Sequence, residues 1–91
     1  MNERFWKGFW NPPRICTQSP FWFLNDVVDG DVYVSQVEEM AKKGVLQVMP
    51  HPRYGMDRRE YLTPHYLDAF QRMVERAEEL GMTVNLYDDF N

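Results

Sequence analysis

A single cysteine, Cys16, leaves the chain without an internal disulfide and without the thiolate ligands of a zinc or iron–sulfur cluster. No apolar run approaches the roughly 20 residues a membrane-spanning helix needs, and the opening Met1-Asn-Glu-Arg-Phe5 is neither a signal peptide nor a lipidation signal. Gly-x-Gly-x-x-Gly, a phosphate loop containing Gly-Lys-Ser/Thr, and His-Glu-x-x-His are all missing, so nucleotide and zinc-peptidase chemistry lose their usual support. Positive charge is scarce: ten basic residues face fourteen acidic ones, a net charge of -4 that repels a phosphate backbone. Neither nucleic acid nor membrane is an expected partner, and the expectation is a soluble, cytoplasmic chain.

What the sequence has in quantity is aromatic side chains, 15% of 91 residues. One domain is the most this length allows, and a chain so short buries only about 60–65% of the surface its unfolded form exposes. Three Trp, six Phe and five Tyr therefore need a deep core, a sugar or a protein to lie against. Residues 1–19 divide off as an aromatic amino-terminal arm. Phe5-Trp6-Lys7-Gly8-Phe9-Trp10 runs into Asn11-Pro12-Pro13, a proline pair foreign to helix interiors and central strands, and the arm is expected to pack on the domain as a lid or to serve as a carbohydrate platform.

Residues 20–91 read as strand, helix, strand, helix, strand. Phe21-Trp-Phe-Leu24 follows Pro20 and forms the first strand. Asp29 caps a helix with apolar positions Tyr33, Val37, Met40 and Ala41, Lys42 and Lys43 in its last turn and Gly44 beyond. Val45-Leu-Gln-Val-Met49, bounded by Pro50, is the second strand. Thr63-Pro64 opens a second helix with Leu67, Phe70, Val74 and Ala77 on one face and Leu80-Gly81 at its end, with Met82 folding back on the last turn. Thr83 to Tyr87 is the third strand. The predicted class is α/β: a βαβαβ parallel unit with right-handed crossovers. In chain order both helices share one face, the other is bare, and the unit is part of a TIM (β/α)8 barrel; a 2-1-3 order with one helix on each side is the alternative.

All three strand ends bring polar groups to one edge: Asn25 and Asp26, then His51 and Arg53, then Asp88, Asp89 and Asn91. His51-Pro52-Arg53 either fixes an imidazole and a guanidinium toward substrate hydroxyls or a carboxylate, or it satisfies strand-end carbonyls and pairs with Asp57. Asp88 and Asp89 cannot form the acid and base of a glycosidase between themselves, because consecutive extended residues point to opposite sides. No cofactor is expected; calcium on Asp26, Asp88 and Asp89 is the one cation considered, and no loop has calcium-motif spacing. His65 is expected at the surface, and Asp57-Arg58-Arg59-Glu60 as a solvated loop.

Pro20-Phe-Trp-Phe-Leu-Asn-Asp26, Gln36-Val-Glu-Glu-Met-Ala-Lys-Lys-Gly44, His51-Pro-Arg-Tyr-Gly55, Tyr61-Leu62 and Leu80-Gly-Met-Thr-Val-Asn-Leu-Tyr-Asp-Asp-Phe-Asn91 together resemble the opening of the catalytic barrel in bacterial glycoside hydrolases of the α-L-rhamnosidase-like group. The resemblance covers residues from about Asn11 to Asn91. It implies a fragment of a glycosidase in which Asn25, Asp26, His51, Arg53, Asp88, Asp89 and Asn91 line a sugar-binding cleft, a carbohydrate substrate, and an acid and base lying beyond Asn91. Leu24 departs from the group's aromatic before Asn25, and Asp89 from its usual glutamate. The bare sheet face alternatively implies a homo-oligomer through sheet face or edges, and the tryptophans a carbohydrate-binding module.

Overall fold

The computed structural model describes residues 2–91. Asp29 caps the amino terminus of α2 (Gly30–Lys42) by accepting from the Asp31 and Val32 amides, and Thr63 does the same for α3 (Pro64–Glu79) through the Tyr66 amide. Pro64 occupies the first turn of α3, where its missing N–H is no loss. Each helix stops at a glycine in the left-handed region, Gly44 at φ 81° and Gly81 at φ 74°, a conformation a side chain would strain. The Met82 amide then returns to the Ala77 carbonyl at 2.9 Å and its side chain is buried, as the sequence predicts.

Three parallel strands, β1 (Phe21–Leu24), β2 (Gln47–Pro52) and β3 (Thr83–Val84), lie in the order β1-β2-β3. The 2-1-3 alternative is thereby overturned. With this order the two crossover helices fall on one face, where Tyr33 and Val37 of α2 and Tyr66, Ala69, Met73 and Ala77 of α3 close over Leu24, Val28 and Val48. The apolar stripe of α3 is turned from the predicted one: Ala77 is buried and Phe70 and Val74 pack partly against the core, but Leu67 is 51% exposed, and Tyr66, Ala69 and Met73 are the other buried positions. Small Ala69 and Ala77 let α3 approach the sheet closely, a signal that hydrophobicity alone understates.

The opposite sheet face carries Phe21 and Phe23 of β1, Gln47, Met49 and His51 of β2, and Thr83, followed at the same alternation by Asn85 and Tyr87. Phe21 is 59% exposed and Phe23 47%, so β1 is an alternating, half-buried strand.

Three strand boundaries differ from the sequence reading: β2 begins at Gln47 rather than Val45, and the other two shifts share one reason. Pro50 does not end β2; the strand runs through His51 to Pro52. The Met49 and Arg53 amides donate toward β1, to Pro20 and Leu24 carbonyls, so the alternate positions 48, 50 and 52 face β3. Two of those three are prolines and have no N–H to give. Beyond Asn85, whose amide reaches the Val48 carbonyl at 2.8 Å, the ladder fails, and β3 covers only Thr83–Val84 instead of Thr83 to Tyr87.

The amino-terminal arm is a finding against expectation. Asn2 caps an α-helix, α1 (Glu3–Trp10), that ends at Asn11 just before the proline pair, and none of its residues is buried. Phe5, Trp6, Phe9 and Trp10 touch one another edge-to-face or stacked and remain exposed, so they form no lid. The segment after the prolines is what holds to the sheet. Gln47 Nε2 donates to the carbonyls of Arg14, Ile15 and Thr17 at 3.0–3.1 Å, and Asn85 Nδ2 donates to Ser19 Oγ at 2.7 Å.

Met73→Ala removes a fully enclosed side chain and should lower unfolding free energy by about 2–5 kcal/mol, whereas Phe9→Ala on α1 should change it by less than about 0.5 kcal/mol; urea titration of the two variants checks both. Burial, with a smaller contribution from Asp29, pushes the Tyr33 phenol up to about 12, and burial also raises that of Tyr66. Because the folded values lie above the unfolded value near 10, this contribution to stability is complete below pH 10 and is lost as pH rises toward 12 and beyond. Unfolding curves compared with phenolate absorbance over that range should fall together.

Candidate functional site at the carboxyl end of the sheet

In a straight parallel ladder, residue 89 would follow residue 85 by four and meet the Pro52 carbonyl. Instead the Asn91 amide does so, at 2.8 Å. Two extra residues are accommodated between β3 and this contact, along a stretch where Pro50 and Pro52 present carbonyls but no N–H to the third segment. The consequence is a change of cast at the rim. Leu86, Asp88 and Asp89 are exposed, and Asn91, at φ 58°, is brought against the end of β2 in a conformation asparagine tolerates well.

His51 sits on the otherwise uncovered face, yet only 7% of it is accessible. Three aromatic rings enclose it: Tyr87 at 3.9 Å between centroids, Phe23 at 5.5 Å and Phe21 at 5.6 Å. Neither Nδ1 nor Nε2 has a hydrogen-bond partner among the described residues, and the Asn91 Oδ1 atom is likewise buried and unpartnered. Each such group costs about 1–3 kcal/mol of lost hydration unless something fills it. Arg53, two residues on and on the same side of β2, lays its guanidinium over the Phe23 ring at 4.7 Å. It makes no ion pair among the described residues. Asp57, the partner envisaged for it, is bonded instead to Arg59 at 2.9 Å, and that contact holds the Asp57 carboxyl below its usual range.

The remaining rim residues are placed differently. Asn25 is exposed, and its backbone is the surface on which Gly55 packs: a Cβ at position 55 would stand 1.7 Å from the Asn25 carbonyl oxygen. Asp26 accepts from the Val27 amide at 2.7 Å and Asp89 from the Phe90 amide at 2.8 Å, so both carboxylates are used within their own turns. Asp88 borders a separate apolar cleft of about 210 Å³ with Tyr61, Leu62, Tyr66, Phe70 and Leu86. Burial first, then the charges of Asp89 and Asp88, raises the Tyr61 phenol. Asp26, Asp88 and Asp89 belong to no group of three or more His, Cys, Asp or Glu side chains placed to share a metal among the described residues.

Of the seven residues read from the sequence, the structure sets His51 and Arg53 against one Phe23 ring, ties the Asn91 backbone to Pro52 between them, and leaves Asn25, Asp26, Asp88 and Asp89 exposed. Sequence reasoning missed Phe21, Phe23 and Tyr87 as the enclosing rings, although Phe21-x-Phe23 alternation was the available signal. His65 is exposed as expected, but its Nε2 also lies 3.0 Å from the Val28 carbonyl and ties α3 to the loop after β1. The three tryptophans form no common platform: Trp22 is half-buried on the helix side with its indole N–H donating to Gln36 at 2.8 Å, and Trp6 and Trp10 lie on α1.

No known protein family, curated protein or solved structure matches the chain. No helix among the described residues is long and apolar enough to cross a membrane.

Gly55→Ala should displace the Asn25 turn and lower thermal stability, since a 1.7 Å contact with backbone has no flexible side chain to absorb it. Amide chemical shifts of 24–27 are the readout, and unchanged shifts would contradict the close approach.

Proposed function

We propose that this unit binds carbohydrate at the carboxyl rim of its sheet, as part of a (β/α)8 glycoside hydrolase. The observation that carries the reading is His51: an imidazole enclosed by three aromatic rings, with both nitrogens unpartnered, sharing the Phe23 ring with the free guanidinium of Arg53. Sugars present that mixture, an apolar ring face edged with hydroxyls that both donate and accept. Phe21, Phe23 and Tyr87 supply the apolar surface. Arg53 donates to a hydroxyl, and His51 donates or accepts according to its tautomer once the Phe21, Phe23 and Tyr87 cage parts to admit the sugar. The resemblance of the ordered motifs to the α-L-rhamnosidase-like group agrees with this assignment, and the helix-free face of a parallel sheet in chain order is what a barrel interior requires.

In such an enzyme these residues hold the sugar and orient its ring, while protonation of the glycosidic oxygen and attack at carbon fall to a carboxylate pair on other strands. Asp88 and Asp89 are not that pair, since Asp89 is engaged by its own turn and Asp88 borders the cleft against α3.

A His51→Phe variant separates binding from folding. It keeps an aromatic ring in the cage and removes two unpartnered nitrogens, so unfolding free energy should stay level or rise by about 1 kcal/mol while sugar affinity falls about tenfold or more. Titration with L-rhamnose, aryl α-L-rhamnosides and other glycosides, followed by the His51 ring resonances, is the measurement. Flat titrations across the whole panel, together with no turnover of any aryl glycoside by the gene product that carries this unit, would remove the reading.

The exposure of Phe21 and Phe23 favours a second reading, in which two copies cover each other's sheet face. Sedimentation over a wide range of concentration distinguishes it, a constant monomer mass counting against association.

A further inference from the structure

The polar groups around His51 are unequal, and the imbalance says which sugars suit them. Arg53 is a permanent cation with up to five N–H donors, half-exposed, with no carboxylate within ion-pair distance and no hydrogen-bond acceptor among the described residues. The other arginines near this end of the sheet are occupied or distant from the cage: Arg59 is held by Asp57, and Arg58 lies over the Phe90 ring at 6.0 Å. Of the rim carboxylates, Asp26 and Asp89 each accept from the following backbone amide and Asp88 borders the cleft, and none of them pairs with Arg53. The Phe23 ring lies against both His51 and Arg53, at 5.5 Å and 4.7 Å, so the two groups flank one apolar patch. His51 and Asn91 Oδ1 are buried polar atoms aimed at nothing in the chain.

We propose that the rim selects a sugar bearing a carboxylate, a uronic acid residue, with the Arg53 fork on the carboxylate, His51 on a ring hydroxyl once its aromatic cage parts, and the sugar's apolar face against the exposed rings of Phe21 and Phe23. This rests on the carbohydrate-binding reading above and narrows it. A planar guanidinium matches a carboxylate through two parallel hydrogen bonds, and stacking on Phe23 pre-orients it. A neutral hexose would leave that charge without a counter-ion. The chain's net charge of -4 opposes any anion at long range, but over a Debye length of about 8 Å at physiological salt that opposition is screened while the direct contact is not.

The test is a matched titration of the full chain with methyl galacturonoside, its methyl ester, methyl galactoside and acetate, followed by calorimetry and by the ring resonances of His51. The uronate should bind about tenfold or more tightly than its ester and than the neutral galactoside, with acetate weakest. Arg53→Gln should collapse that ratio toward one, and Arg53→Lys, which keeps the charge but loses the fork, should retain part of it; far-UV circular dichroism verifies that both variants are folded. Equal affinity for uronate, ester and galactoside would overturn this inference and leave the carbohydrate reading standing. Acetate binding as tightly as uronate would overturn it in favour of a general anion site. An absence of binding by every sugar would overturn both readings together.

Discussion

Two missing hydrogens govern the working end of this protein. On the side of β2 that faces β3, positions 50 and 52 are prolines, so only Val48 can donate an N–H to the third strand. A sheet whose central strand goes silent halfway along cannot keep its neighbour in register. The third segment pairs for two residues, loses its ladder, and rejoins two residues late through Asn91. A straight register would have brought residue 89, a carboxylate, to the Pro52 carbonyl where Asn91 now lies. The electrostatic character of the rim thus follows from backbone chemistry on a different strand.

That end is stabilised by the opposite face of the same sheet. α2 and α3 lock Leu24 and Val48 beneath Val37, Met73 and Ala77, and this enclosed layer holds the strands in place while their other face stays open. The open face is not uniformly wet: three rings enclose His51, yet Phe21 and Phe23 remain about half accessible. The face thus combines accessible aromatic carbon with an imidazole held out of water and without a hydrogen-bond partner among the described residues.

Much of this was legible in the chain. Caps and stops at Asp29, Gly44, Thr63-Pro64 and Gly81 fix helix boundaries because each answers a local demand, an orphan amide or a positive φ, that only a few residue types meet. The strand-helix alternation gave the parallel unit for the same reason. What escaped was decided by relations between distant segments. Pro50 reads locally as a strand end, and its actual effect, shortening β3, depends on which side of β2 meets which neighbour. The arm carries no local sign of whether it packs on the domain, and its helix finishes at the Asn11 cap with the proline pair left outside. The α3 face was rotated because small Ala69 and Ala77 pack more intimately than larger Leu67. At the site, residue identities were readable and their division of labour was not: Asp88 and Asp89 are as polar as Asn91, and only the displaced register tells them apart.

Gly55 lies so close to the Asn25 backbone that the turn leaving β1 and the loop leaving β2 are in van der Waals contact through main chain alone. Side-chain contacts loosen by rotamer hops; a main-chain abutment does not. Any molecule arriving at Arg53 would therefore meet two loops that are already mutually braced, and little of its binding free energy would be spent on drawing them together.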